Sequence, residues 1–193
     1  MPETKDIVIF GGPNGAGKTT AATELLPEKI EVSEFVNADE IAHALSPRDS
    51  EHAALAAGRI MLERIKELRA SARSFAFETT CAGRTYARFL RQCKTDGWRI
   101  NLLFLWLPSP EAAIARVEKR VLEGGHAIPP DVIVRRYWAG IVNMRRIYLP
   151  LADIAAIYDN SDNSRRLIAQ RLPGEELVVH NSALWFDIEA QSQ

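Results

Sequence analysis

Residues 12–19 are Gly12-Pro13-Asn14-Gly15-Ala16-Gly17-Lys18-Thr19, and Thr20 follows them. This segment matches the pattern G-x-x-x-x-G-K-[ST] without a mismatch. It comes after the apolar run Ile7–Phe10, which predicts a strand, and it leads into Thr19–Leu26, which predicts a helix. A strand, a glycine-rich loop and a helix in this order are the context that the pattern requires. Residues 12–20 are therefore predicted to form a phosphate-binding loop.

The residue types of this loop suit a bound polyphosphate. Glycines let the backbone wrap closely around phosphates with its N–H groups pointing inward. The positive end of the following helix adds to that field. In such loops the lysine, here Lys18, reaches the β- and γ-phosphates, and the hydroxyl of Thr19 is a ligand of Mg²⁺. The pattern predicts ATP or GTP with Mg²⁺ as the bound species, and it does not identify the group that accepts the phosphate.

Along the rest of the chain, short apolar runs alternate with longer helical patterns, as in a parallel sheet with crossover helices. The predicted fold class is α/β, a P-loop NTPase three-layer sandwich with a central, mainly parallel five-stranded sheet, a helical lid and a C-terminal hairpin. Residues 1–193 are expected to form a single P-loop kinase domain with its lid at about 123–148. The predicted strands are Ile7–Phe10, Glu34–Val36, Phe75–Phe77, Leu102–Leu107 and Ala155–Tyr158, and the hairpin strands are Leu167–Gln170 and Glu176–His180.

Composition restricts the class of partner. The chain has 193 residues, 47% of them hydrophobic, and a formal net charge of −1 at pH 7. Nucleic acid is not expected as a partner, because binding to its phosphate backbone needs a concentrated basic patch. The longest apolar run, Leu102–Leu107, is far too short to cross a bilayer, and no signal peptide is evident, so a cytoplasmic protein without membrane contact is predicted. Cys81 and Cys93 match no zinc-binding spacing.

Missing motifs narrow the class of P-loop protein. A GTPase switch needs D-x-x-G after a strand and N-K-x-D for guanine, and neither string occurs in the sequence. The signature of an ABC-type ATPase is also missing. We therefore expect a kinase, in which a hydroxyl of a small molecule attacks the γ-phosphate. Such an enzyme needs a carboxylate at the acceptor, a second acidic or polar group, and arginines over the phosphates.

Two carboxylates lie at the ends of predicted strands, where ligands bind in parallel sheets. Asp39 follows the short strand Phe35-Val36-Asn37 and is the candidate base toward the acceptor hydroxyl. The alternative is that Asp39 is the N-cap of a helix that starts at Glu40. Glu78 ends an apolar strand and precedes Thr79-Thr80, so it is a candidate for the acceptor site. A solvated strand end is the alternative for Glu78.

Arginines supply the remaining requirement. Arg116 and Arg120 are four residues apart, so they share one face of a predicted helix. Arg135 and Arg136 belong to the next predicted helix, after Gly124-Gly125. Two such helices can close over ATP, neutralise charge in the transition state and exclude water. Surface arginines on solvated helices are the alternative for each of the four.

Taken in order, these motifs resemble the zeta-toxin family of P-loop kinases over most of the chain, from Gly11 to Ser161. Characterised members of that family use ATP or GTP to phosphorylate a sugar hydroxyl of UDP-N-acetylglucosamine. The segments that carry the resemblance after the loop are Val36-Asn37-Ala38-Asp39-Glu40-Ile41-Ala42, Phe77-Glu78-Thr79-Thr80 with Gly83-Arg84, Arg116-Val117 with Arg120, Gly124-Gly125-His126 with Pro129, Arg135-Arg136-Tyr137, and Tyr158-Asp159-Asn160-Ser161.

The resemblance implies a role for several of these residues. Asp39 would be the base toward the sugar hydroxyl, and Thr19 would hold Mg²⁺. Arg120 and one of Arg135 or Arg136 would clamp the γ-phosphate. Nucleotide contacts are expected from the loop and Arg116, and the acceptor site would be lined by Asn37, Asp39, Glu78, Thr79, Thr80 and Arg84.

Several questions stay open at this point. The chain is close to a minimal kinase core and looks like the short branch of the family, where the substrate is less secure. Chloramphenicol phosphotransferase has a similar architecture, so an antibiotic or another nucleotide is an alternative acceptor. A regulatory module that binds ATP and has no acceptor pocket would carry the same loop. An antitoxin protein is a candidate partner, but the motifs establish neither toxicity nor such a partner.

Overall fold

The sheet is built on the apolar runs of the sequence. The computed structural model describes residues 5–29, 32, 34–46, 50–125, 127–162 and 164–193. Within these residues, seven strands form one sheet in the order β2-β3-β1-β4-β5-β6-β7. The strands are β1 (Asp6–Gly11), β2 (Phe35–Val36), β3 (Phe75–Thr79), β4 (Arg99–Trp106), β5 (Ile154–Asp159), β6 (Arg166–Arg171) and β7 (Val178–Val179).

β1 is the central strand, and it pairs in parallel with β3 on one side and β4 on the other. All of its residues are buried, which explains why its sequence is an uninterrupted apolar run after Asp6. β2 pairs in parallel with β3, and β5 pairs in parallel with β4. The five parallel strands predicted from the sequence are therefore confirmed.

The predicted C-terminal hairpin is also present, and it extends the same sheet. β6 pairs antiparallel with β5, and β7 pairs antiparallel with β6. The turn between them contains Pro173-Gly174, where Gly174 has a φ of +78°, a conformation that glycine adopts without steric cost. The sheet is thus mainly parallel as predicted, and the hairpin adds two strands to the five.

Helices connect the parallel strands. Those of the described residues are α1 (Lys18–Lys29), α2 (Ala38–Leu45), α3 (Ser50–Ala70), α4 (Thr85–Thr95), α5 (Pro110–Leu122), α6 (Pro130–Asn143), α7 (Leu149–Leu151) and α8 (Ser182–Gln191), with a π-helical turn, Met144–Tyr148, between α6 and α7. α5 begins where its sequence predicts, because the Ser109 hydroxyl accepts a hydrogen bond from the Ala112 amide (3.3 Å) and Pro110 occupies the first turn. None of these helices is long and apolar enough to cross a membrane.

α6 is packed into the core along its length. Ile133, Tyr137 and Ile141 lie on one face of the helix, and each is 1% exposed. The Tyr137 hydroxyl donates a 2.7 Å hydrogen bond to the carbonyl of Leu107, just past the end of β4. The segment expected to act as a lid therefore contains a helix that is fixed to the core, whereas the turn before it, Gly124-Gly125, is exposed.

α8 is an element that the sequence reasoning missed. Its cap is the Asn181 side chain, whose oxygen accepts a hydrogen bond from the Leu184 amide (3.2 Å). Near its end, Gln191 Oε1 accepts a hydrogen bond from Trp106 Nε1 (3.0 Å) and lies 3.1 Å from the hydroxyl oxygen of Tyr137. The last helix of the chain therefore connects α6 to the end of β4.

Candidate active site

The carboxyl ends of three strands meet at one edge of the sheet. The glycine-rich loop follows β1, Asn37 follows β2, and Glu78 is the last residue but one of β3. Because β3 lies between β2 and β1, these three segments are neighbours. This edge is where ligands bind in open parallel sheets, and the sequence predicted that the candidate residues would lie there.

The loop has a backbone shape that requires its glycines. Gly12, Gly15 and Gly17 have φ angles of +145°, +75° and +82°, which L side chains rarely adopt. A Cβ atom on Gly12 would lie 2.4 Å from the carbonyl oxygen of Leu105 in β4, and one on Gly15 would lie 2.9 Å from Cβ of Arg116 in α5. The loop therefore packs directly against β4 and α5 without room for further side chains.

Lys18 is held between the loop and the end of β3. Its side chain is 5% exposed, and its Nζ atom donates a 2.9 Å hydrogen bond to the carbonyl of Pro13. The same atom lies 3.4 Å from Oε1 of Glu78. A buried ammonium group needs partners of this kind, because desolvation without them is costly. The positive charge of the loop is thus positioned directly beside a carboxylate.

Glu78 connects the loop to the end of β2. Its Oε2 atom accepts a 2.7 Å hydrogen bond from the hydroxyl of Thr19. Asn37 Nδ2 lies 3.3 Å from that oxygen and 3.5 Å from Oγ1 of Thr19. The sequence reasoning placed Glu78 and Asn37 at the acceptor, and it missed their contact with the residues expected to bind the nucleotide and Mg²⁺. A carboxylate beside a hydroxyl offers the oxygen ligands that Mg²⁺ prefers.

Asp39 lies in the first turn of α2, and its side chain is outside the described part of the structure. The helix begins at Ala38, and the carbonyl of Asn37 accepts a 3.2 Å hydrogen bond from the Ile41 amide. Asn37 therefore takes the cap position, and the alternative that Asp39 is the N-cap is wrong. The role of Asp39 as a base stays a prediction.

On the other flank of the loop, Arg116 and Asn160 bind its backbone. Arg116 Nη2 donates hydrogen bonds to the carbonyls of Asn160 and Ser161, both at 2.6 Å. Its Nη1 lies 3.5 Å from the carbonyl of Gly15. Asn160 Nδ2 donates a 2.8 Å hydrogen bond to the carbonyl of Ala16. Asn160 received no role in the sequence reasoning, although its place directly after a strand end was the available signal.

The segment after β3, residues 80–84, is called the acceptor loop below because Thr80 and Arg84 were predicted to bind the acceptor. Thr79, just before it, is buried and its hydroxyl oxygen accepts a 3.0 Å hydrogen bond from the Cys81 amide. Thr80 is half-buried and Arg84 is exposed. Burial raises the pKa of the Cys81 thiol to about 12, which favours its neutral form near pH 7.

The other candidate residues lie on α1, α5 and α6. Thr20 is exposed in the first turn of α1. Arg120 lies in the last turn of α5, and its carbonyl accepts a 2.8 Å hydrogen bond from the Gly125 amide. Arg135 is exposed and Arg136 is half-buried in α6. Their contacts with phosphate stay predictions.

A glycine-rich loop after β1, a lysine and a threonine that meet a carboxylate on β3, and the strand order β2-β3-β1-β4-β5 together define the P-loop kinase fold. Comparison with known families assigns the chain more closely. A family model described as an AAA domain matches residues 7–136. Because this match covers about two-thirds of the sequence, the chain belongs to that family.

Individual relatives agree with this fold. An uncharacterised protein of Haemophilus influenzae is 26% identical over 130 residues, which cover 67% of this chain and 91% of that protein. A chain of the AvrRxo1-ORF1:AvrRxo1-ORF2 complex with sulphate ions superposes with a TM-score of 0.76 at 18% identity, over 99% of this chain and 65% of that one. The same complex solved with ATP gives a TM-score of 0.72, also at 18% identity and over 99% and 65% of the two chains.

A third solved relative is a toxin–antitoxin structure. The PezAT chromosomal toxin–antitoxin system of Streptococcus pneumoniae superposes with a TM-score of 0.60 at 15% identity, over 99% of this chain and 86% of that one. This chain spans 65% of the AvrRxo1 chain that it matches. The resemblance to the zeta-toxin family is confirmed at the level of the fold.

Proposed function

We propose that this protein is a kinase that transfers the γ-phosphate of ATP or GTP to a hydroxyl of a small molecule. The observation that carries the proposal is the contact of Glu78 with both Lys18 and Thr19, at 3.4 Å and 2.7 Å. These are the residue types that bind phosphates and their metal ion in P-loop enzymes. The AvrRxo1 complex solved with ATP, which shares the fold, supports the choice of nucleotide.

The residues present fit a nucleotide and Mg²⁺. Gly12, Gly15 and Gly17 have the positive φ angles that let a loop turn its N–H groups toward bound phosphates. α1 starts directly after the loop and adds the positive end of its dipole. Thr19 and Glu78 would hold Mg²⁺, which neutralises negative charge on the β- and γ-phosphates when it is bound.

The remaining residues divide the chemistry of transfer among them. Lys18 donates hydrogen bonds to the β- and γ-phosphates. Asp39 orients the acceptor hydroxyl and takes its proton as the hydroxyl oxygen bonds to the γ-phosphorus and the bond to the β,γ-bridging oxygen breaks. Arg120 and one of Arg135 or Arg136 neutralise the charge that builds up on the transferring group.

The acceptor that we propose is UDP-N-acetylglucosamine or a related nucleotide-sugar. The support is the ordered series of motifs from Asn37 to Ser161, which resembles the zeta-toxin family, together with the fold shared with the PezAT structure. By the same likeness, a protein antitoxin is the proposed partner. Arg84 and Thr80, in the acceptor loop, would contact the nucleotide-sugar.

The test replaces the proposed base. Wild type is incubated with γ-labelled ATP and UDP-N-acetylglucosamine, and the product is identified by mass spectrometry. We expect Asp39→Asn to bind ATP as wild type does and to lose at least about a hundredfold in turnover, since general base catalysis contributes about that much. Asp187→Asn, an exposed aspartate of α8, is the matched control and should retain full turnover.

Each result of this assay has a distinct meaning. An Asp39→Asn enzyme with normal turnover would refute the role of Asp39. Label transfer from ATP to a different compound of a metabolite extract would replace the acceptor and keep the kinase. ADP release that no extract or nucleotide-sugar stimulates would refute the kinase and favour the regulatory ATP-binding module.

A further inference from the structure

Asn143, the last residue of α6, binds the acceptor loop from the side of the core. It is a buried polar residue, 5% exposed. Its Nδ2 atom donates hydrogen bonds to the carbonyls of Cys81 (3.0 Å) and Ala82 (2.9 Å). An amide group has two hydrogens to donate, and here both go to neighbouring carbonyls of one loop. Burial of such a group stabilises a structure only when its hydrogen bonds are made.

Tyr148 makes a third bond of the same kind. It ends the π-helical turn that follows α6, and π-helical turns are frequent at functional sites. Its side chain is completely buried, and its hydroxyl donates a 2.9 Å hydrogen bond to the carbonyl of Gly83. Burial raises the pKa of this phenol well above its ordinary value, so the hydroxyl keeps the proton that it donates.

Gly140 brings the helix itself against the acceptor loop. A Cβ atom at this position would lie 2.4 Å from the carbonyl oxygen of Thr80, so only glycine allows this approach. Gly140 and Asn143 are three residues apart and share one face of α6. The carbonyls of residues 80–83 thus all meet α6 or the turn that follows it.

The acceptor loop needs the contacts with α6 and Tyr148, because its backbone is strained at Cys81. Cys81 has a φ of +59°, in the left-handed region that residues other than glycine rarely adopt. A residue in such a conformation persists only where its surroundings hold it, and these conformations cluster at ligand-binding sites. The surroundings of Cys81 here include Asn143 and the Thr79 hydroxyl, which accepts a hydrogen bond from the Cys81 amide.

From these contacts we infer that Asn143 and Tyr148 are positioning residues, which fix the acceptor loop to the same helix that carries Arg135 and Arg136. The two arginines lie about two helical turns before Asn143. α6 is itself held in the core by the buried side chains of Ile133, Tyr137 and Ile141. The groups expected to bind the acceptor and those expected to bind the γ-phosphate therefore belong to one rigid unit.

This inference rests on the proposed function, because it concerns the acceptor of that reaction. It adds that acceptor affinity depends on two side chains that do not touch the acceptor. Loss of Asn143 or Tyr148 frees the loop that carries Thr80 and Arg84. Lys18 and Thr19 contact Pro13 and Glu78, so nucleotide binding should depend less on the two positioning residues than acceptor binding does.

The test uses Asn143→Ala and Tyr148→Phe. Tyr137→Phe is the matched control, because it also removes a buried tyrosine hydroxyl, and Tyr137 lies in α6 like Asn143. The Tyr137 hydroxyl contacts Leu107 and Gln191 and does not contact the acceptor loop. Hydrogen–deuterium exchange is followed in peptides that cover residues 80–84 and 12–19. Steady-state kinetics with UDP-N-acetylglucosamine give KM for the acceptor, and a calorimetric titration gives Kd for ATP.

In Asn143→Ala we expect exchange at residues 80–84 and KM for the acceptor each to rise about tenfold or more, roughly the weight of one or two hydrogen bonds. Exchange at residues 12–19 and Kd for ATP should stay as in wild type. Tyr148→Phe should give a smaller change in the same direction, and Tyr137→Phe should change neither quantity. A general loss of packing would raise exchange in both peptides and would affect the two tyrosine variants alike.

Unchanged exchange at residues 80–84 in folded Asn143→Ala overturns the inference, and so does faster exchange with an unchanged KM. If Asn143→Ala does not fold, Tyr148→Phe decides by the same two criteria. A wild type that phosphorylates no UDP-N-acetylglucosamine counts against the proposed acceptor alone. Exchange at residues 80–84, which needs no acceptor, then decides whether Asn143 holds the loop.

Discussion

At the residue scale, one carboxylate at the end of β3 meets both the lysine and the threonine of the glycine-rich loop. Glu78 is 11% exposed. Its Oε1 atom forms an ion pair with Lys18 Nζ, and its Oε2 atom accepts a hydrogen bond from the Thr19 hydroxyl. In the structure without ligand, the Lys18 ammonium group and the Glu78 carboxylate neutralise each other. Bound phosphates would compete for Lys18 and would leave the carboxylate free for a metal ion, so the contact that exists without ligand also prepares the site for one.

Removal of the negative charge of Glu78 should weaken Mg²⁺ binding. Glu78→Gln keeps the size of the side chain and an oxygen for the Thr19 hydroxyl, and it loses the negative charge that favours a divalent cation. We expect the Mg²⁺ concentration for half-maximal ADP formation to rise about tenfold or more, which is the order of one charge-assisted contact. A Mg²⁺ titration of the steady-state rate measures this shift.

The matched control for that titration is Glu118→Gln, an exposed glutamate of α5. It should give the Mg²⁺ dependence of wild type. If Glu78→Gln gives the same curve as this control, Glu78 has no part in holding the metal ion.

The sequence predicts which residues belong to the site, but their contacts depend on the register between strands. Glu78 was recognisable as a strand-end carboxylate, and the loop was recognisable by its own pattern. Their contact follows from the pairing of Phe10 with Glu78 between β1 and β3. Such pairing is set by non-local packing and is not encoded in the spacing along the chain. The sequence therefore indicated the right residues and missed the contact of Glu78 with Lys18 and Thr19, and the place of Glu78 at the acceptor stays a prediction.

At the element scale, the loop is confined between β1, β4 and α5. Gly12 has no space for a side chain, because a Cβ atom would lie 2.4 Å from the Leu105 carbonyl. Gly174, in the hairpin turn, also has a positive φ but nothing within 4 Å of a Cβ atom. A side chain at Gly174 would therefore cost only backbone strain, whereas a side chain at Gly12 would cost both backbone strain and a steric clash.

We expect Gly174→Ala to lower the free energy of unfolding by about 1 kcal/mol, the cost of a left-handed alanine. Gly12→Ala should lower it by at least about 2 kcal/mol more, because β4 or the loop must move. Chemical denaturation followed by circular dichroism gives both values. Equal losses in the two variants would mean that the loop is not packed against β4 as described.

Elements differed in how well their sequences predicted them. β4 and α5 were predictable because a long apolar run and a Ser-Pro start are local signals. α8 was missed because its apolar residues, Leu184, Trp185 and Phe186, are consecutive and give no helical period, and Phe186 is exposed. The π-helical turn ends at Tyr148, which is bonded to Gly83, 65 residues earlier in the chain, and no local pattern reports that contact.

At the scale of the whole molecule, two sets of contacts converge on the carboxyl edge of the sheet. β1 and β3 bring Lys18, Thr19 and Glu78 together. On the other side, α6 holds the acceptor loop through Asn143, and α8 contacts α6 through Gln191 and Tyr137. α6 is packed into the core and the turn at Gly124-Gly125 is exposed, and closure of segment 123–148 over a nucleotide stays a prediction.

Binding of a polyphosphate by residues 12–19 through Lys18 is the central claim. Isothermal titration of the wild type with ATP and Mg²⁺ should show saturable binding. Lys18→Ala should weaken it at least about thirtyfold, which corresponds to about 2 kcal/mol for a charge-assisted contact. The matched control is Lys94→Ala, because the Lys94 ammonium group bonds to Asp153 at the opposite edge of the sheet. This variant should bind ATP as wild type does. A wild type that binds neither ATP nor GTP, or a Lys18→Ala variant with unchanged affinity, would contradict the claim.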